Sequence, residues 1–173
     1  MVDMGQGAWL FVSGPGQPDV ERDFDVEEDF PALAGGHAYR KTSDQTLDYN
    51  CLAWAFGDTT KWWDPSKRVA GYWWFPGVDR EWTIEAITKI LVIHSYKNAD
   101  HNEYEEGFEK ICFYLDEDKV PTHFARQLKS GKWTSKIGSL SDIEHDTLES
   151  LEGDLYGRAM LTFKRARPEW EHE

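Results

Sequence analysis

The second half of the chain alternates between strand-like runs and tight turns, and this alternation constrains the fold more than any other feature. Residues 108–115 are rich in aromatic and β-branched side chains and end at the polar turn 116–119. Residues 122–128 and 132–137 flank a Ser-Gly turn at 130–131. The pattern predicts neighbouring strands joined by short turns, and therefore a mainly antiparallel sheet.

Helix signals surround this sheet. Apolar residues from Cys51 onward follow turn-forming, capping residues, and a second apolar period runs from Thr83 to Ile93. Ser141, Asp142, Ile143 and Glu144 form a capping box, which predicts a helix over 141–151, while 156–164 predicts a last strand. One early helix, one middle helix and one late helix beside an antiparallel sheet indicate an α+β domain.

Cys51 opens the first of these helices. Asp48 and Asn50 are both good N-cap residues, and Gly57 suits the position just past the helix end. In a first helical turn, free N–H groups and the positive end of the dipole favour a thiolate over a thiol. The alternative is that Cys51 is a small buried hydrophobe on the inner face of the helix.

Length, charge and cysteine content limit the possible classes of protein. With 173 residues the chain forms one domain with a core of its own. A net charge of −13 argues against nucleic-acid or anionic-membrane partners and is more compatible with a basic or neutral one. The separated Cys51 and Cys112 predict free thiols in a reducing compartment, with one disulfide as the alternative. The sequence has neither a signal peptide nor an apolar run near 18 residues, so we expect a cytoplasmic protein.

The expected organisation has three parts. Residues 1–46 are an irregular acidic N-terminal segment packed on the domain, 47–166 form the α+β domain, and 167–173 are a tail. Within the first part, the acidic stretch 19–29 predicts a solvated surface segment. No histidine or cysteine pair has zinc-ligand spacing and no Gly-rich loop precedes a helix with Gly-Lys-Ser/Thr, so we expect no metal and no cofactor.

The order of the chemically reactive residues suggests nucleophilic catalysis. The cysteine on a helix precedes His123 on a strand, and the next strand carries polar residues. A thiolate nucleophile needs a base within hydrogen-bond reach and a third group that orients the base. Asp142 and His145 are candidates for this third group, because the turn into the predicted last helix would bring Asp142 near His123.

This order resembles the papain-like fold in its NlpC-type peptidase form. The segment DYNCLAWAFG is similar to the nucleophile helix of that family, and THFARQLKSGKWTS is similar to its histidine strand, turn and following strand. The resemblance implies a nucleophile helix packed on a mainly antiparallel sheet, with Cys51 as nucleophile, His123 as base and Ser135 in the third position. The family usually has His, Asn or Gln at that third position, and often Asp where this chain has Asn50.

The stretch from Tyr49 to about Lys164 also resembles an uncharacterised bacterial domain family. The resemblance lies in the segments YNCLAWA, PTHFARQL, WTSKIG and DIEH. It implies a shared fold and a candidate site, and it identifies no substrate.

A connection rich in tryptophan follows the Cys51 helix. The segment from Asp58 to Gly77 contains four tryptophans, Trp62, Trp63, Trp73 and Trp74. Such a loop predicts one wall of a substrate groove, to which Asn50 would also contribute. The alternative is that the rings attach the loop to the sheet.

Two functions from different classes fit these observations. The first is a thiol hydrolase or transferase acting on an amide, peptide or acyl bond through Cys51 and His123. The second is a catalytically inactive acidic module, such as an inhibitor or immunity-type protein, that recognises a basic protein partner.

Overall fold

The computed structural model describes residues 22–34 and 38–169. In these residues the helices are α1 (Phe24–Asp29), α2 (Cys51–Ala55) and α3 (Ile84–Ile93), with 3₁₀ turns at Pro31–Leu33 and Glu149–Leu151. The strands are β1 (Tyr39–Lys41), β2 (Lys97–Asn98), β3 (Phe108–Leu115), β4 (Pro121–Gln127), β5 (Trp133–Lys136), β6 (Asp142–His145) and β7 (Arg158–Ala166).

The seven strands form one sheet in the order β1-β6-β5-β4-β3-β7-β2. Neighbouring strands pair antiparallel throughout the described residues. The central strand β3 is buried along nearly its whole length, because both faces of the sheet are covered. The strands predicted over 108–115, 122–128, 132–137 and 156–164 are therefore confirmed, with their ends displaced by a few residues.

Alternate residues of the strands enter two separate hydrophobic cores. The α3 core, on one face, joins α2 and α3 to Ile111, Phe113 and Phe124. The α1 core, on the other face, joins Val26, Phe30 and Leu33 to Cys112, Tyr114, Ala125, Trp133 and Ile143. We call the two sides of the sheet the α3 face and the α1 face.

The predicted papain-like fold, with a nucleophile helix packed on a sheet, is wrong. In the described residues the protein is a seven-stranded antiparallel sheet with few short helices, and α3 is the one helix longer than six residues. The helix that begins at Cys51 has five residues, because the chain leaves the helix at Phe56 and Gly57 takes a φ of 78°. The cap signal was real, but the helix that follows it is short.

The helix predicted over 141–151 is also wrong. Residues Asp142–His145 form β6, which lies between β1 and β5, and a single 3₁₀ turn follows at Glu149–Leu151. The side chains that would cap a helix bind distant residues instead. Ser141 Oγ donates to Asp23 Oδ2 at 2.7 Å, and Asp142 Oδ2 accepts from the hydroxyl of Tyr49 at 2.6 Å. Long-range pairing thus outweighs the local capping signal.

The described part of the acidic N-terminal segment packs against the sheet and contains regular structure. Asp23 caps α1 through its side chain, and β1 pairs with β6 at the sheet edge. The expectation of a solvated stretch is wrong for Asp23 and Glu27, which are buried. Glu27 accepts hydrogen bonds from Arg22 and from the hydroxyl of Tyr39. Residues 19–21 of this stretch, and 170–173 of the predicted tail, lie outside the described residues.

The longest helix of the described residues, α3, has ten residues. None of the helices described is both long and apolar enough to cross a bilayer.

Candidate functional site

Asn50 starts α2 and attaches the aromatic loop to it. Its Oδ1 accepts from the backbone N–H of Ala53 at 3.2 Å, which caps the first turn. The same side chain accepts from Trp63 N–H at 3.2 Å and donates to Trp63 C=O at 2.7 Å. Because these bonds join the first turn of α2 to Trp63, Asn50 positions Cys51 and the loop.

The Cys51 thiol lies against backbone N–H groups. Cys51 is partly exposed, and the backbone N–H groups of Phe124, Leu52 and Cys51 itself favour its thiolate form. Burial nevertheless raises the pKa of the Cys51 thiol to about 11, because desolvation outweighs these donors. The start of the helix therefore does not lower the pKa of this thiol, contrary to the expectation from its position.

His123, Ser135 and His145 form a continuous chain of hydrogen bonds on the α1 face. His123 Nε2 and Ser135 Oγ are 2.9 Å apart, and Ser135 Oγ and His145 Nε2 are also 2.9 Å apart. His145 Nδ1 then lies 2.9 Å from the carbonyl oxygen of Thr147. The two histidines and the serine are fully buried. We call this set the histidine relay.

The relay fixes the proton positions. The carbonyl of Thr147 accepts only, so His145 Nδ1 carries a proton. Burial lowers the pKa of His145 to about 4, so its ring is neutral and its Nε2 accepts from Ser135 Oγ–H. Ser135 Oγ in turn accepts from His123 Nε2–H. Burial, together with the neighbouring His145, lowers the pKa of His123 well below its usual value, so its Nδ1 has no proton.

His123 Nδ1 is therefore a buried basic nitrogen with a free lone pair. It has no hydrogen-bond partner among the described residues. The ring is held flat against Tyr156, with centroids 4.1 Å apart and an interplanar angle of 5°, and Tyr114 contacts it edge-on. An unpaired buried acceptor costs about 1–3 kcal/mol, so its presence calls for an explanation.

The structure brings the thiol close to the backbone of the relay. His123 pairs in register with Tyr114 on the α1 face, whereas α2 packs on the α3 face. Within the described residues, the pairing of β4 with β5 ends at Arg126–Thr134. The backbone N–H of Phe124, the residue after His123, favours the thiolate form of Cys51, so the thiol lies near the backbone of β4.

Asp142 is not part of the relay. It lies on the α3 face, where its carboxylate accepts from the hydroxyl of Tyr49 at 2.6 Å. Across the strand pair it is in register with Lys136, which is fully buried. The Lys136 ammonium donates to the carbonyls of Gly138 and Leu140 and lies 5.5 Å from the centroid of the Tyr49 ring. Of the predicted orienting residues, the structure thus joins Ser135 to His123 and separates Asp142 from it.

The four tryptophans of the loop divide into two buried and two partly exposed rings. Trp63 and Trp74 are buried, and their indole N–H groups donate to Asp58 and Asp79. Trp62 is partly exposed and stacks on Tyr72, with centroids 5.8 Å apart. Trp73 is also partly exposed and packs against Trp63. The loop is therefore partly structural, and its outer rings remain available for contact.

The other chemically active groups have structural positions. Cys112 is fully buried in the α1 core, and burial raises the pKa of its thiol to about 12. Cys51 and Cys112 are both free thiols. Among the described residues, no three His, Cys, Asp or Glu side chains are grouped so that they could hold a metal ion.

Sequence reasoning missed Lys136 and Tyr156. A lysine in a strand is normally expected on the solvent side, and nothing in the local pattern of 133–136 marks its burial. Tyr156 precedes a strand and contacts His123 only through the tertiary fold. His145 was considered as an alternative, but its link to His123 runs through Ser135, which no sequence spacing indicates.

The fold and site define a protein built on one antiparallel sheet, with a cysteine at a short helix and a buried histidine relay. Residues 40–164 match the family described as a domain of unknown function, DUF7689. This match covers more than half of the chain, so the protein belongs to that family. Comparison with curated proteins and with solved structures gave no match.

Proposed function

We propose that the protein is a thiol hydrolase or transferase that acts on an amide, peptide or other acyl bond. The observation that carries the proposal is the free lone pair of His123 Nδ1, in a ring whose other nitrogen is fixed by Ser135. A general base needs this state, with one nitrogen oriented and the other ready to accept a proton.

The chemistry is an acyl transfer in two stages. The Cys51 sulfur attacks the carbonyl carbon while its proton passes to His123 Nδ1, so a neutral pair becomes charged only as the new bond forms. The N–H groups of Cys51 and Phe124, which favour the thiolate of Cys51, would donate to the developing negative charge. His123 then protonates the leaving amine or alcohol, and a thioester remains on Cys51. Water, or an acceptor amine, releases the acyl group with the same base.

The relay supports this role by holding the imidazolium that forms. When Nδ1 takes a proton, Nε2–H still donates to Ser135, so no hydrogen bond of the relay is lost. Ser135 and His145 are positioning residues here, because they act through His123. The expected site therefore comprises Cys51, His123, Ser135 and His145, and Asp142 has no part in orienting the base.

The decisive experiment is labelling with thiol-reactive acyl and peptide electrophiles. We expect wild-type protein and Cys112→Ala to form a stable adduct detected by intact mass, and Cys51→Ala to form none. Cys112→Ala is the matched control, since it removes the other thiol of the chain. We expect His123→Gln to reduce the labelling rate at least 10²-fold, the size of a general-base contribution. Equal labelling of wild type and His123→Gln would refute the proposal.

We propose that the partly exposed rings of the loop line the substrate groove. The link from Asn50 to Trp63 places the loop beside the start of α2, which supports this assignment. For a peptide electrophile, we expect Trp62→Ala or Trp73→Ala to weaken saturation severalfold while iodoacetamide labels Cys51 at an unchanged rate. Unchanged saturation in both variants would make the loop purely structural. If saturation weakens as expected, the buried rings of Trp63 and Trp74 support the groove.

The second candidate is an acidic binding module for a basic protein, and the observation that favours it is the net charge of −13. Asp116 and Glu117 line a cavity of about 630 Å³ together with Glu152 and Asp154, and these acidic side chains outnumber the two cations of its lining, Lys119 and Arg158. For this function, binding should weaken steeply with salt and be lost in Asp116→Asn/Glu117→Gln/Asp154→Asn, but persist in Cys51→Ala. The opposite result, adducts on Cys51 without salt-sensitive binding, favours the hydrolase.

Both candidates fit a cytoplasmic protein without a cofactor, a nucleic-acid partner or a membrane partner. The free thiols of Cys51 and Cys112 suit a reducing compartment. Expression with a fluorescent fusion and fractionation would test this location.

A further inference from the structure

We infer that Arg126 binds a carboxylate group of the substrate, beside the short helix that carries Cys51. Arg126 lies on β4 in register with Ile111, a residue of the α3 core, so its side chain is on the α3 face, where α2 packs. The carboxylate site follows from the contacts of Arg126 itself, whereas its use in recognising a substrate rests on the proposed function. The closing experiment separates the two.

The guanidinium of Arg126 is nearly buried and lacks a close acceptor. Only 12% of the side-chain surface is exposed, and its ion pair with Glu109 spans 3.8 Å from Nη1 to Oε2, which is beyond hydrogen-bond distance. Its Nε is buried and has no hydrogen-bond partner among the described residues. A guanidinium carries five N–H donors, and leaving charged donors unsatisfied in an interior is costly. An acceptor from outside the described fold is therefore expected at Arg126.

Glu109 does not fill this need, because a second arginine binds it more closely. Arg165 donates to Glu109 Oε1 from Nε at 3.1 Å and approaches the same oxygen with Nη2 at 3.0 Å. Arg167, also 3.8 Å from Glu109 Oε2, donates to two backbone carbonyls. Arg165 and Arg167 are thus fixed by hydrogen bonds within the fold, whereas Arg126 keeps donors for a ligand.

The ring of Trp54 holds the guanidinium of Arg126 in place. The central carbon of the guanidinium lies over this ring, 5.8 Å from its centroid. The indole N–H of Trp54 donates to Thr134 Oγ1 at 3.1 Å, and Tyr49 stacks on the ring with centroids 5.6 Å apart. Both Arg126 and Trp54 are partly exposed, so a ligand can reach them. The cation is therefore positioned before a ligand binds, which lowers the entropic cost of binding.

The position of Trp54 in α2 relates this cation to the thiol. Cys51 and Trp54 are three residues apart in one helix, and such side chains are neighbours, with about 5–6 Å between their Cβ atoms. Adding the contact between Trp54 and Arg126 puts a bound carboxylate on the order of 10 Å from Cys51. Two extended residues span about 7 Å of chain. The site therefore fits a substrate whose carboxylate lies about two residues from the reacting carbonyl.

The surroundings of Arg126 favour a carboxylate over a phosphate. The planar guanidinium matches the two oxygens of a carboxylate in a bidentate arrangement. A phosphate dianion has the same donors available, but the fully buried carboxylate of Glu109 lies 3.8 Å from this guanidinium. Repulsion from Glu109 opposes a dianion more strongly than a monoanion. A singly charged carboxylate is therefore the ligand that we assign.

The test compares two thiol-reactive probes that differ only in charge, bromoacetyl-glycylglycine and its C-terminal amide. Alkylation of Cys51 is followed by intact mass, with Cys112→Ala as the background, and yields the probe concentration at half-saturation. We expect the carboxylate probe to saturate at an about tenfold lower concentration than the amide, the low end for a charge-assisted hydrogen bond. We expect Arg126→Gln to abolish this preference and Arg126→Lys to keep a severalfold one.

The matched control is Arg40→Gln, which removes one positive charge from a side chain that is 58% exposed on the edge strand β1. It should keep the full preference, because general attraction of an anion by the net charge is then excluded. Equal saturation by the two probes in the background protein overturns the inference, and so does a preference that survives Arg126→Gln or disappears in Arg40→Gln. Should Arg126→Gln not fold, as judged by near-UV circular dichroism, the comparison in the background protein decides.

Binding without alkylation separates the carboxylate site from the proposed function. Cys51→Ala forms no adduct, so acetyl-glycylglycine and its amide report binding alone. We expect acetyl-glycylglycine to shift the NMR signal of the Trp54 indole N–H at an about tenfold lower concentration than the amide. This result without acyl adducts on Cys51 in wild type would support the site and refute the hydrolase. Acyl adducts together with equal shifts by the two ligands would do the reverse.

Discussion

Between β4, β5 and β6 the sheet buries polar side chains on both faces, but of different kinds. On the α1 face, His123, Ser135 and His145 are joined as uncharged donors and acceptors. On the α3 face, Lys136 lies opposite Asp142 in the β5–β6 register, and Tyr49 contacts both side chains. Adjacent residues of one strand, Ser135 and Lys136, therefore belong to opposite kinds of site.

The difference teaches what each face can contribute to reactivity. The neutral relay holds the base in one orientation and keeps its hydrogen bonds when Nδ1 takes a proton, although burial opposes the charge on both imidazoles. Opposite charges buried on the other face would provide a lasting field at a cost in desolvation.

The largest expected loss of stability comes from removing Asp142 on the α3 face. Asp142→Ala leaves the Lys136 ammonium without its counter-charge and the Tyr49 hydroxyl without its acceptor. We expect a loss of about 3–5 kcal/mol in the free energy of unfolding, the range for uncovering one buried charge. Urea denaturation at pH 7 measures it. Asp146→Ala, which removes a half-exposed partner of Lys132, is the control and should cost less than about 1 kcal/mol.

Lowering the pH should reduce the stability that the buried, neutral His145 contributes on the α1 face. His145 has a folded pKa of about 4 against about 6.5 when unfolded, so its contribution is complete above pH 6.5 and is lost as the pH falls toward 4. We expect this histidine alone to cost about 3 kcal/mol of stability at pH 4, at 1.36 kcal/mol for each pKa unit. Denaturation at pH 7 and pH 4.5 tests this. A slope equal in wild type and His145→Gln would contradict it.

Ser135 and Thr134 are neighbours on opposite faces of the sheet, and we expect substitutions at them to cause smaller and unequal losses in the free energy of unfolding. Ser135→Ala leaves both His123 Nε2 and His145 Nε2 unsatisfied in a dry interior, and we expect a loss of about 2 kcal/mol. Thr134→Val removes a hydroxyl that accepts from the indole N–H of Trp54, a partly exposed ring that water can reach, and that donates to the backbone carbonyl of Ile143. That variant should lose about 1 kcal/mol. Equal losses in the free energy of unfolding would show that water reaches the histidine relay as easily as it reaches Thr134.

The smallest effect is expected at the sheet surface. Arg40 and Glu144 form an ion pair at 3.2 Å, with the arginine side chain 58% exposed. We expect Glu144→Gln to change the free energy of unfolding by less than about 1 kcal/mol and to have no effect on Cys51 alkylation. A larger loss would mean that β6 depends on its surface charges as well as on its buried side chains.

The local patterns of the chain predicted most of its strands but not the way in which they assemble. The strand over 108–115 was readable because aromatic and β-branched residues fill it on both faces. The short β1 was not, since in the described residues it pairs only with β6, far away in sequence. The strand at Asp142–His145 pairs with the nearby β5, but its capping-box residues Ser141 and Asp142 pointed to a helix, because their side chains bind distant residues that the local pattern does not show.

The candidate site was predictable in part. Cys51, His123 and Ser135 were identified from their order, and the hydrogen bond from His123 to Ser135 matches the expected pairing. Neither the neutral thiol nor the continuation of the relay to His145 could be read from sequence, because both depend on burial that only the folded sheet creates. The charged cluster of Lys136 was hidden for the same reason.

The edge strand β1 has a consequence for how the molecule is made. Arg40 of β1 contacts Glu144 of β6 across 104 residues of chain. During synthesis, β1 leaves the ribosome long before its only sheet neighbour in the described residues exists, at about 5–20 residues per second. A closure over so long a loop is slow, so the edge is expected to join late, after β3, β4 and β5 have associated. Nascent chains stalled before residue 142 should therefore expose β1 to proteases, whereas full-length chains should protect it.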